Sequence, residues 1–253
     1  MNRLRELIDR TPHAITAVSD VRRHPDRKHH VNNFLCEAPK AVCFWGGDFD
    51  GICEMQVIPE LCRLPYGTVW IEFDINLTVG RGLLGLLITE SSSNEDLLCY
   101  GFLRYQNQWN FEFFVINLNL ETGYCLTNER ANKLSLELAS SCILAIRAFC
   151  SLINCQNVSR QEHKPDAALQ KARAKRGKQP LFSYWTLELN GRDGGAAQSF
   201  GGTHASPRVH LRRGHPRQYA PGKWTWVQPH AVGNRELGMV HKDYVIGKEM
   251  VGH

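Results

Sequence analysis

The chain has 253 residues, 43% of them hydrophobic and 22% charged, which allows one large domain or two small ones and excludes wholesale disorder. Its net charge of +5 is uneven: residues 1–153 hold 14 basic and 18 acidic side chains, while residues 154–253 hold 16 basic and 7 acidic ones. Such a split points to two modules, the second facing a polyanion.

In chain order, Leu4, Leu7 and Ile8 fall at helical spacing and predict a short helix. Residues 11–40 are polar and basic and read as short helices or irregular surface. Phe44 to Gly51 is rich in glycine and aspartate and reads as a loop. Met55, Ile58 and Leu61 predict a helix over 53–63, against which Pro59 argues. Four strands follow, at Thr68–Asp74, Gly82–Thr89, Leu97–Tyr105 and Phe111–Leu118, with short polar connections that favour an antiparallel meander. Residues 128–155 carry Leu134, Leu138, Cys142, Ile146 and Phe149 at helical spacing and predict the longest helix, with one face on the sheet.

The character changes after residue 155. Residues 156–180 are polar and then basic, with Lys171, Arg173, Lys175, Arg176 and Lys178 in eight positions, and read as a linker or basic arm. Leu181–Leu189 alternates like a strand, and 191–202 is a glycine-rich mobile loop. Lys223–Pro229 and Gly238–Ile246 read as strands joined through Gly233-Asn234. The expectation is therefore an α+β protein. Residues 1–155 form an antiparallel sheet packed with helices, 156–180 a basic linker or arm, and 181–253 a smaller basic β-rich module.

Nine cysteines lie between Cys36 and Cys155 without C-x-x-C or structural-zinc spacing, so they read as reduced core thiols and favour a cytoplasmic protein. The start, Met1 to Glu6, lacks the pattern of a secretory signal, and the longest apolar run contains Arg147 and is too short to span a bilayer. No membrane association is expected.

The densest chemistry lies in the second half. His204, Arg208, His210, Arg212, Arg213, His215 and Arg217 fall within fourteen residues. If 208–213 is extended, Arg208, His210 and Arg212 share one face. Guanidiniums bind phosphate oxygens bidentately, so this face suits phosphate or nucleic acid. Imidazoles titrate near neutrality, so His210 and His215 could instead serve as base and acid in metal-independent RNA cleavage. A basic surface loop, or a protein–protein contact, remains the structural alternative. The histidine spacing fits neither a zinc-protease nor a finger motif, and the arginines oppose a cation, so no metal is assigned. Lys223, Trp224 and Trp226 combine a cation with two indoles on one side of a strand, either stacking bases or forming the core of a small sheet. Lys242 and Tyr244 add residue types found in RNA-cleaving sites. Asp48 with Asp50 and Glu72 with Asp74 are paired carboxylates without a calcium-loop pattern. Gly80-Arg81-Gly82 lacks both a dinucleotide fingerprint and a phosphate-loop lysine, so no cofactor is expected.

The run from Arg173 to Leu181, the order H-x-S-P-R-x-H-x-R-R-G-H-x-R from His204 to Arg217, then Gly222 to Val227 and Lys242-Asp243-Tyr244 together resemble a family of proteins from tailed bacteriophages and prophages. Leu64-Pro65-Tyr66 ahead of Trp70 to Phe73 resembles the family's first half. The chain departs from the pattern at Pro216, where the family carries Ile, Trp or Phe. The resemblance brings no catalytic role. It implies a phage accessory protein acting in the host bacterial cytoplasm; the His/Arg residues themselves give nucleic acid, RNA before DNA, as the expected partner. A host defence or nucleic-acid-processing protein is the alternative partner, and a metal-independent endoribonuclease the alternative activity.

Overall fold

A computed structural model describes residues 3–17, 25–77, 80–90, 97–120, 122–123, 125–127, 133–190, 208–212, 214–228, 230–232 and 234–239. Its centre is an eight-stranded sheet. Strand β1 spans Val42–Asp48, β2 Thr68–Leu77, β3 Gly80–Glu90, β4 Leu97–Tyr105, β5 Gln108–Leu118, β6 Cys125–Thr127, β7 Val158–His163 and β8 Tyr184–Leu189. The order across the sheet is β6-β5-β4-β3-β2-β1-β8-β7.

The expected meander is present as β2 to β5, antiparallel throughout. Gln106 and Asn107 turn the β4–β5 hairpin with φ of 48° and 64°, the left-handed values that suit a tight hairpin turn. The sheet as a whole is mixed rather than antiparallel, because β1 runs parallel to both β2 and β8. Parallel neighbours need a crossover. Here it is the segment carrying helix α3 (Phe49–Cys53) and a 3-10 turn at Pro59–Leu61.

Helices cover both faces. Helix α1 is Leu4–Ala17, α2 Pro25–Glu37 and α4 Lys133–Ile153. Strand alternation sends Val69, Ile71, Phe73 and Ile75 of β2 to one face, where they meet Cys142, Ile146, Phe149 and Cys150 of α4. The same alternation sends Trp70 to the other face, with Leu4 and Leu7 of α1, Phe34 of α2, Tyr100 and Trp109. Coverage on both sides explains why Gly82 to Thr89 reads as a continuous apolar run instead of an alternating one.

Several expectations are corrected. The glycine-rich stretch 44–48 is strand, not loop: Gly46 lies against the Phe73 ring, and a Cβ there would come within 2.2 Å of it. Its glycine serves close packing, not a turn. The helix expected over 53–63 breaks into α3, a loop and the 3-10 turn, since Pro59 lacks the N–H a helix interior needs. The half-buried Asn154 amide then donates to the carbonyls of Leu61, Arg63 and Cys150, fixing that loop to the end of α4.

The stretch expected as a linker or arm is also folded. Its residues form β7 and helix α5 (Ala167–Lys175), and β7 pairs with β8 in register from Val158↔Leu189 to His163↔Tyr184. The sheet thus runs through the boundary expected at 155. Beyond it, β9 (Arg208–Arg212), β12 (His230–Val232) and β13 (Asn234–Met239) form a three-stranded sheet, and β10 (His215–Ala220) pairs with β11 (Lys223–Val227). Strands β12 and β13 flank β9, and Lys223–Val227 pairs with β10, so it does not form the expected hairpin with the stretch from Gly238, of which Gly238 and Met239 fall in β13 and the rest lies outside the described residues. Residues 191–202 lie outside the described residues.

Candidate nucleic-acid interface

The histidine–arginine run divides between two sheets. Strand β9 is extended from Arg208 to Arg212. His204, Arg213, Lys242 and Tyr244 lie outside the described residues, as do the side chains of Arg208, His210 and Arg212, so the shared face expected of those three and the pairing of His210 with His215 as base and acid fall outside them too.

The β10–β11 hairpin gives the clearest geometry. Pro221 presets the turn and Gly222 adopts a left-handed φ of 67°. Cross-strand pairs run His215↔Val227, Pro216↔Trp226, Arg217↔Thr225 and Gln218↔Trp224. Pro216 and Trp226, opposite one another, are both buried. Trp226, at 5% exposure, packs with Ile58, Leu61 and Cys155, and Trp224 joins the same cluster half-buried. The two indoles do share a side, but that side is core, so Trp226 presents no ring to a base. Pro216 sits within β10 without breaking it, because β10 is an edge strand and its missing N–H leaves no ladder bond open.

Backbone bonds lock this inner side in place. The Asn157 side chain behaves as a short strand alongside β11: its amide donates to Trp226 O at 2.9 Å and its oxygen accepts from Trp226 N at 2.6 Å. Next to it, Gln156 N donates to Trp224 O at 3.0 Å.

The other side is cationic. With Pro216 inward, alternation turns His215 and Arg217 outward; Arg217 is exposed and His215 half-buried. The ladder then slips, with Gln218 opposite Trp224 and Ala220 opposite Lys223, so Tyr219 is the extra residue of a β-bulge. Tyr219 is 56% exposed, and Lys223 beside it is exposed. Sequence reasoning singled out the tryptophans and passed over Tyr219. The signal that finds it is strand parity counted from a buried Pro216.

A second cationic element is separate. Helix α5 has no buried residue, and Lys171, Lys175, Arg176 and Lys178 are exposed around it. It is held by polar contacts. The Gln170 amide donates to Leu181 O and accepts from Leu181 N, at 2.9 and 3.0 Å. The Arg173 guanidinium donates twice to Gln179 O and lies 3.9 Å from Asp9 of α1. Arg5 of α1 donates to Pro180 O and covers the Phe182 ring at 4.4 Å. The hairpin docks before Val158 and α5 follows His163, so the two elements lie at opposite ends of β7.

The paired carboxylates have structural duties. Asp48 caps α3 by accepting from Gly51 N at 2.7 Å, and Asp50 accepts from the Asn76 amide. Glu72 does not share an open polar face with Asp74: it is buried beneath α1, accepting from the Trp70 indole N–H at 2.8 Å and from Arg3 N at 2.5 Å. Burial pushes its carboxyl above the usual range, against the two hydrogen bonds. Among the described residues no group of three or more His, Cys, Asp or Glu side chains converges as a metal site. The eight cysteines other than Cys125 form no disulfide. Burial pushes the Cys53 and Cys155 thiols up to about 11, and those of Cys99, Cys142 and Cys150 higher still, which keeps them as inert core thiols. No helix of the described residues is long and apolar enough to cross a membrane.

Compared with protein-family models, curated proteins and solved structures, the chain matches none.

Proposed function

We propose that the protein binds nucleic acid through its basic C-terminal residues, with the outward side of the β10–β11 hairpin and strand β9 as the contact surface. One observation carries this reading: Arg217 and Lys223 stand exposed, with His215 beside them, on a hairpin whose opposite side is buried and bonded to the body. A surface already held in shape loses little conformational entropy on binding. The neighbouring Arg208, Arg212, Arg213 and His204 add phosphate-binding groups in sequence. RNA is the expected ligand, and the resemblance to tailed-phage proteins supplies the setting, an accessory protein in an infected bacterial cytoplasm.

The test is binding of short labelled RNA and DNA by fluorescence anisotropy over a salt series. Each neutralised phosphate contributes a slope of about 0.7 to 0.9 in log K against log salt. Affinity should fall steeply as salt rises, and R217E/K223E should weaken binding and flatten the slope. A salt-independent affinity, or a double variant that binds like wild type, overturns the reading. A partner retained from host lysate after nuclease treatment would replace nucleic acid with a host protein.

A further inference from the structure

Phosphate contacts hold a nucleic acid by its backbone and say nothing about its bases. The hairpin offers a group of a different kind. Tyr219 is one of few large apolar side chains exposed among the described residues, at 56%. It lies in the bulge between Arg217, two positions earlier on β10, and Lys223, opposite on β11. Alternate residues along a strand are about 6.5–7 Å apart, so an aromatic residue neighbours both cations along the hairpin. Bulges commonly re-aim a side chain beside a functional surface.

The ring is oriented without being covered. Its hydroxyl donates to the Gln156 side-chain oxygen, and Gln156 is itself tied by its backbone N–H to Trp224 O. The tether holds the tip of the side chain while the residue stays 56% exposed. Core packing does not account for Tyr219, because Trp224 and Trp226 fill the buried side of the hairpin. Cations interleaved with an exposed aromatic are the arrangement that takes unpaired bases: phosphates settle on the cations and a base stacks on the ring. Bases inside a duplex are stacked on each other and offer no face to such a ring.

We infer that Tyr219 is a base-stacking residue and that this surface takes single-stranded nucleic acid, an inference that rests on the cationic hairpin being the interface. The full chain is titrated with single-stranded RNA, single-stranded DNA and duplex DNA of one sequence. Y219A should weaken single-strand binding on the order of tenfold, the size expected for one stacked base, and leave duplex binding and the salt slope unchanged. Y219F keeps the ring and should bind within about threefold of wild type; Y219W should bind at least as tightly as wild type. The single-stranded RNA and DNA arms decide which sugar is preferred.

If wild type binds no nucleic acid in any arm, the interface reading fails and the inference with it. If wild type binds and R217E/K223E weakens it while Y219A does not, the inference alone fails. Equal loss of duplex and single-strand binding in Y219A also overturns it.

Discussion

The β10–β11 hairpin and helix α5 both display cations, yet they are attached by opposite means. The hairpin is pinned by buried Trp226 and Pro216, with Asn157 bonding the backbone of β11. Helix α5 buries no residue and is held by Gln170, Arg173 and Arg5 reaching backbone carbonyls. Positive charge alone does not distinguish the two. What lies behind the charge does: an apolar anchor gives the hairpin a fixed outer surface, whereas exposed polar bonds compete with water and hold α5 more weakly.

The largest effect should come from cutting the apolar anchor. Trp226→Ala removes a buried indole and should cost about 3–5 kcal/mol, read by urea unfolding, with hydrogen exchange accelerating across β10 and β11. A loss under about 1 kcal/mol would mean that the hairpin is held by hydrogen bonds, as α5 is. Asn157→Ala leaves Trp226 N and O without their partner and should cost about 1–3 kcal/mol.

Glu72 tests polar anchoring at α1, where a buried carboxylate receives the backbone N–H of Arg3. Its carboxyl is raised above 4.5 in the folded protein, so the folded state holds that proton more tightly than the unfolded one. Glu72 therefore makes stability fall as pH rises from about 4.5 through the raised folded value, and the cost is relieved below that window. Glu72→Gln should remove this slope in unfolding measured over a pH series; an unchanged slope would place the pH dependence elsewhere. Arg173→Ala should cost about 1 kcal/mol or less and show chiefly as faster proteolysis between residues 164 and 180. The smallest stability effect belongs to Arg217→Ala and Lys223→Ala: unchanged unfolding midpoints, with the salt slope of nucleic-acid binding reduced by about one each.

Local pattern and long-range pairing were unequally legible. The β2–β5 meander and the α4 helix follow from periodicity, because neighbouring strands and a helix face are written in adjacent residues. Strand β1 was hidden: its partners start at Thr68 and Tyr184, and Gly46-Gly47 looks like a turn until the Phe73 ring is seen against Gly46. Strand β7, with Arg160, Gln161 and Glu162, has little apolar signal because it is an edge. At the β10–β11 hairpin, sequence placed both tryptophans on one side of a strand but could not say whether that side faced inward. That choice depends on Ile58, Leu61 and Cys155, which come from a distant part of the chain. The same choice decides that Tyr219 faces out.

The pairing of β1 with β8 also sets an order in time. Phe44 of β1 pairs with Trp185 of β8, so during synthesis β1 waits for some 140 residues to follow it. Contacts so far apart in sequence form slowly. Throughout that interval β1 shows one unpaired edge, a template on which another nascent chain can pair. Arrival of β8, with β7 outside it, moves the open edge from an apolar strand to a charged one. Addition of the sheet's last two strands is thus also the step that covers the apolar edge of β1.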